Sequence, residues 1–204
     1  MRGRARRTFK RCPTCGLLCL ALMLGCSGRS APHARAADGP ELVSIAISPG
    51  GVIERACVTV GPELCFNARD DNCNGIIDEG CGVPTGIVQF VIAWDEPAAD
   101  VDLNVTDPNG TLIQAGDSSQ SGFVKDRDCP GRKNACHGQN LENVYLEEGE
   151  APRGEYLVRI RLEKLGGENP PIGVTLGARI GPKTYAAEFE LGQASDEREL
   201  RLEL

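Results

Sequence analysis

The chain has 204 residues with 29 acidic and 22 basic side chains, a formal net charge of −7 and 4% aromatic residues. So acidic a balance argues against nucleic acid as a partner, because phosphate recognition needs basic patches, and it suits a solvated surface and divalent cations. The length accommodates one sandwich-sized domain and a small additional module.

Residues 1–25 carry six basic residues and no acidic one, followed by an apolar run from Gly16 to Gly25 that is too short to cross a bilayer. That order predicts an export signal rather than a fold element. Removing those six positive charges leaves −13 on residues 26–204. The end of the run, Leu22-Met23-Leu24-Gly25-Cys26, resembles the bacterial lipobox. The resemblance implies that Cys26 becomes an acylated N-terminus, that the partner is a membrane reached through a lipid anchor, and that Ser27 directs the protein to the outer membrane of a Gram-negative bacterium. The alternative is an ordinary signal cut at Ala34-Arg35-Ala36. Residues 26–40 then read as a polar tether.

Of ten cysteines, Cys12, Cys15 and Cys19 leave with the signal and Cys26 takes lipid, so Cys57, Cys65, Cys73, Cys81, Cys129 and Cys136 remain. Six cysteines in an exported chain predict three disulfides, of undetermined connectivity, with pairing inside each cluster as the simplest arrangement. Cys129, Cys136 and His137 could instead contribute to a zinc site, but an oxidising compartment and the want of a fourth ligand nearby favour the disulfide.

Residues 41–56 hold one short alternating segment, Val43, Ile45 and Ile47, read as a strand that pairs with the following domain. The next segment, residues 57–82, is a cysteine-rich module. With Asp70 as position 1, side-chain oxygens fall at positions 1, 3, 5 and 9 (Asp70, Asn72, Asn74, Asp78), glycine at 6 (Gly75) and a backbone carbonyl at 7 (Ile76). A hard cation such as calcium takes six to eight oxygens, and alternate residues of a tight loop converge only where a glycine permits the reversal. Position 12, where a bidentate glutamate closes the shell of an EF-hand, is Cys81, and Glu79 stands two residues early. The other reading of the same residues is an Asx-rich turn whose side chains bond their own backbone. With only Asp70 and Asp78 charged among the patterned ligands, calcium affinity is expected at about 10⁻⁴ to 10⁻³ M.

Glu63-Leu64-Cys65 followed by Asp70 to Cys81 resembles the MopE-type metal-binding motif of exported proteobacterial proteins. Phe66-Asn67-Ala68-Arg69 replaces the first half of that motif, so the resemblance implies as ligands only Asp70, Asn72, Asn74, Asp78 and Glu79.

Beyond the Gly/Pro hinge at 82–86 the period changes to two. Val88, Phe90, Ile92 and Trp94 alternate with Gln89, Val91 and Ala93, and Val101, Leu103 and Val105 with Asp100, Asp102 and Asn104. The turn Asp107-Pro108-Asn109-Gly110 follows. Further alternation at Tyr156–Leu162, Ile172–Leu176, Tyr185–Leu191 and Leu200–Leu204, with no helical stripe, predicts an all-β antiparallel sandwich with polar outward faces. Residues 86–204 resemble the YfaP-like domain through Trp94-Asp95, Asp100 to Val105, Asp107 to Gly110 and Gly154 to Val158; that resemblance implies an all-β fold and no assigned activity.

Asp100 and Asp102 share a strand face and form a second candidate for a divalent ion; a solvated sheet face is the ordinary explanation for such residues. For catalysis there are two histidines, His33 and His137, and no nucleophile elbow or His-Glu-x-x-His helix. The expectation is a non-catalytic, surface-anchored calcium-binding module recognising an envelope protein or glycan. A structural part of an envelope assembly is one alternative. A hydrolase of envelope polymers, with a pocket lined by Glu142, Glu147 or Asp128, is another.

Overall fold

The computed structural model describes residues 39–55, 61–116, 118–130 and 135–204. The export signal, Cys26, the tether and Cys57 lie outside the described residues. Among the described residues the secondary structure is entirely β, with no helix.

Eleven strands form two sheets. In chain order they are β1 (Ser44–Ser48), β2 (Glu54–Arg55), β3 (Val88–Trp94), β4 (Asp100–Thr106), β5 (Leu112–Ile113), β6 (Val124–Arg127), β7 (Leu141–Leu146), β8 (Glu155–Lys164), β9 (Ile172–Ile180), β10 (Lys183–Leu191) and β11 (Glu197–Glu203). One sheet runs β1-β11-β8-β4-β5 and the other β2-β10-β9-β3-β7-β6, and neighbouring strands pair antiparallel throughout.

The two-residue period places alternate side chains on opposite faces. Phe90, Ile92 and Trp94 of β3, Leu176 and Ala178 of β9, Leu103 of β4, Tyr156 and Ile160 of β8 and Leu200 of β11 belong to one core cluster, so both sheets contribute to it. Tyr156 lies 6.2 Å from Phe90 and 5.7 Å from Phe123, ring centre to ring centre, and its hydroxyl donates to the carbonyl of Pro152 at 2.8 Å. The polar end of a buried ring is thereby satisfied. The alternating segment that holds Ile45 and Ile47 forms β1, Ser44–Ser48, and pairs with β11, Ile45 facing Leu202.

Two features differ from the sequence expectation. The outward face of β3 is not polar and solvated: Val91 is 0% and Ala93 5% exposed, packed with Ala68, Ile77 and Val83 of the cysteine-rich segment and Leu141 of β7. Residues 68–83 are therefore seated on the sheet. Gly177 of β9, paired with Val91, leaves room for it, since a Cβ there would come within 2.3 Å of the Ala68 carbonyl oxygen. The other difference is β6 and β7, which lack a clean apolar alternation because Lys125, Glu142 and Asn143 are buried.

Candidate metal centre

Residues 61–82 form an irregular coil of turns, held at its ends by the Cys65–Cys81 disulfide with Cα atoms 5.4 Å apart. Cys73 is disulfide-bonded as well. Cys129 pairs with Cys136. The coil is fixed from below by apolar contact and from the side by polar contact: the Thr184 hydroxyl of β10 donates to Asp70 Oδ2 at 3.0 Å, and Arg69 ion-pairs with Glu188 of β10. Gly75 turns with φ +86°, and a Cβ there would lie 2.8 Å from the Pro182 carbonyl oxygen, so only glycine fits this position.

Within the coil, backbone amides point at carboxylates. Asp70 Oδ1 accepts from the Asn74 N–H at 3.1 Å and Oδ2 from the Gly75 N–H at 2.9 Å. Asn72 Oδ1 accepts from the Asn74 N–H at 3.0 Å, and Asn74 Oδ1 from the Ile76 N–H at 2.9 Å. Asn72 and Asn74 both donate their side-chain amides to Glu79 Oε1. The structure thus gathers Asp70, Asn72, Asn74 and Glu79, with Ile76 on the same turn.

Asp78 bonds to the first half of the module. It is 0% exposed, and its two carboxylate oxygens accept from the Asn67 and Ala68 N–H groups at 3.2 and 3.1 Å. It ties the first half of the module to the second. Two carboxylates that the loop spacing does not mark join this scaffold. Glu63 accepts from the Asp78 N–H at 2.8 Å and the Asp71 N–H at 3.2 Å, and Asp71 accepts from the Leu64 N–H at 3.2 Å and the Asn67 side chain at 2.8 Å. The sequence signal for Glu63 was its place in the Glu-Leu-Cys run; Asp71 sits at an unpatterned loop position.

The electrostatics are one-sided. Glu63, Asp70, Asp71, Asp78 and Glu79 lie within this small volume, and among the described residues no lysine or arginine forms an ion pair with any of them. Burial, then the charge of Glu79, pushes the Glu63 carboxyl up to about 7, against the pull of the Asp78 and Asp71 amides. Burial likewise raises Asp78 despite the amides of Asn67 and Ala68. One oxygen is left over: Glu79 Oε2 is out of contact with water and has no hydrogen-bond donor among the described residues. A carboxylate oxygen desolvated without a partner is costly, and such an atom signals a cation or water that belongs beside it. The donor set, carboxylate and amide oxygens, fits a hard cation.

Asp100 and Asp102 take different partners. The register of β4 against β8 shifts between Asp100 and Val101, and Asp100 accepts from Lys164 Nζ at 3.0 Å. Asp102 instead gathers with Asp128 and Glu142, carboxylate oxygens within 4.8 Å of one another. Into this group projects Lys125, 4% exposed, its Nζ 2.8 Å from Asp128 Oδ1 and 2.9 Å from Glu142 Oε2. Lys125 was not singled out by sequence, since a lone lysine in a short strand ordinarily faces water.

No protein-family model, no curated protein and no solved structure matches this chain. The reading of the site therefore rests on its own chemistry.

Proposed function

We propose that this chain is an exported, membrane-anchored calcium-binding protein without catalytic activity. A cystine-braced loop of the MopE type, seated on a YfaP-like β-sandwich, would hold one calcium ion, and the assembly would present a binding or adhesion surface to an envelope protein or glycan. Asp70, Asn72, Asn74, Glu79 and the Ile76 carbonyl are the groups that would hold the ion, while Asp78 fixes the loop by accepting the Asn67 and Ala68 amides. The observation that carries this reading is the buried, donorless Glu79 Oε2 beside Asn72 and Asn74. The two-sheet core, to which both sheets contribute, supports the sandwich arrangement.

Calcium bound to the folded chain alone raises stability by RT ln(1 + [Ca²⁺]/Kd), about 1.4 to 2.7 kcal/mol at 10 mM calcium for a Kd of 10⁻³ to 10⁻⁴ M. The expected result is a melting temperature several degrees higher in calcium than in chelator, and no such difference in Asp70→Ala. Identical melting curves for the unaltered chain in the two conditions would remove calcium from the account.

One observation favours a structural role in an envelope assembly as a second reading. Among the described residues β2 pairs with β10 at Tyr185 and Ala186, and no described strand pairs with residues 187–191 on that side, so that end of the edge strand offers backbone groups to a neighbour. This reading expects an envelope partner to co-purify even in chelator.

A further inference from the structure

The group around Lys125 has a composition that an ion pair does not require. Lys125 Nζ sits between Asp128 Oδ1 at 2.8 Å and Glu142 Oε2 at 2.9 Å, in a site where the lysine side chain is 5% and the glutamate 1% exposed. The backbone N–H of Leu103, on β4 beyond the two residues that β5 covers, donates to the same Glu142 Oε2 at 2.6 Å. An amine against a buried carboxyl, a backbone donor on that carboxyl's oxygen and a second carboxylate on the amine are the nucleophile, electrophile, oxyanion donor and base of an acyl transfer. We propose that Lys125 and Glu142 are the site of an intramolecular amide bond, Nζ to Cδ, which ties the edge strand β6 to β7.

The step needs no co-reactant. Asp128 takes a proton from the Lys125 ammonium; the neutral Nζ adds to Cδ of the protonated Glu142 carboxyl, and the Leu103 N–H holds the negative charge that develops on Oε2. The C–OH bond then breaks, the hydroxyl leaves as water with the second proton from nitrogen, and the proton on Asp128 passes to solvent. An ammonium and a carboxylic acid thus give an amide, one water and one proton. Asp128, 38% exposed, is the route by which proton and water leave.

Three physical terms favour the bond. The reacting groups are already in contact, which removes most of the entropic barrier of a bimolecular condensation. Burial pushes the Glu142 carboxyl up to about 8 despite Lys125 and the Leu103 amide, so that it carries its proton near neutral pH and can lose water rather than oxide. The product replaces a desolvated ammonium and a buried carboxylic acid by a neutral amide in a place that water reaches poorly, which disfavours hydrolysis. Burial works against the Lys125 ammonium, but the carboxyl groups of Glu142 and Asp128 beside it hold it above its ordinary range, so its deprotonation is the slow step, and the bond forms once per molecule. The benefit falls on β6, a four-residue strand at the end of its sheet that pairs with β7 and otherwise meets isolated bridges from Ala115 and Ser118.

Peptide mapping of the purified full chain, reduced, unfolded and digested with trypsin, tests this. The expected result is loss of cleavage after Lys125 and a branched peptide joining the Lys125 and Glu142 segments, lighter by one water than the two together. That species should vanish in Lys125→Arg, which keeps the charge but offers no amine. Complete cleavage after Lys125 in the unaltered chain, with no mass deficit, would overturn the proposal, and this holds whether or not the variant folds.

Discussion

The molecule holds two clusters of carboxylates, and they differ in what answers their charge. At Asp102, Asp128 and Glu142 the partner is built into the chain, since Lys125 reaches in and touches two of the three. In the loop at Asp70 to Glu79 the carboxylates are answered by backbone amides, the Thr184 hydroxyl and the side chains of Asn67, Asn72 and Asn74, and among the described residues Glu79 Oε2 is answered by nothing. Backbone amides orient a carboxylate but bring no full positive charge. The comparison teaches that an acidic cluster points to an external cation only where the chain does not furnish its own, and that the number of acids alone does not decide the matter.

The largest effect should come from taking away the internal partner. Lys125→Met leaves Asp128 and the buried Glu142 facing an apolar chain end, with neither ammonium nor amide between them, and removing one partner of a buried ionisable pair destabilises by roughly 3 to 5 kcal/mol. Urea denaturation measures this, and a loss below about 1 kcal/mol would mean that the cluster does not depend on its lysine.

The seating of the loop comes next. Gly177→Ala places a Cβ within 2.3 Å of the Ala68 carbonyl oxygen, whereas Gly173→Ala on the same face of β9 meets nothing within 4 Å. Overpacking at the first position should destabilise by roughly 1 to 3 kcal/mol and weaken calcium binding, while the second should change both little. Equal behaviour of the two variants would show that the loop does not rest on β9.

A smaller effect is the pH dependence that the loop cluster contributes. Glu63 titrates at about 7 in the folded chain against an ordinary 4.5, so the folded state holds the extra proton between those values. Its contribution is therefore fully present below about pH 4.5 and is lost as pH rises through about 7. In chelator, the melting temperature should decline over that window, and Glu63→Gln should flatten the decline.

Much of this was written in the chain. The alternation of Phe90, Ile92 and Trp94 or of Tyr156, Val158 and Ile160 identifies strands because one face of each is apolar without interruption. The Asp107-Pro108-Asn109-Gly110 turn forms as its residues dictate: Asp107 Oδ1 accepts the Asn109 and Thr111 amides at 2.9 Å each, and Gly110 turns with φ +78°. The loop was legible from the spacing of Asp70, Asn72, Asn74 and Gly75. β7 was not, because Glu142 and Asn143 are buried at positions where a pattern reader expects solvent. Glu142 satisfies the free Leu103 amide, and Asn143 donates to the Pro84 carbonyl at 2.8 Å and to Asp126 at 2.9 Å. Those partners lie 39, 59 and 17 residues away, out of reach of any local signal. The divergence of Asp78 from the other loop oxygens was hidden for the same reason, as its orientation is set by the amides of Asn67 and Ala68.

The most direct test is the stoichiometry of calcium binding, read by isothermal titration of the purified chain and of two variants. The account predicts one equivalent in the unaltered chain, none in Asp70→Ala combined with Glu79→Gln, and still one in Asp100→Asn combined with Asp102→Asn. An equivalent that survives the loop substitutions, or one that disappears with those in β4, would contradict it.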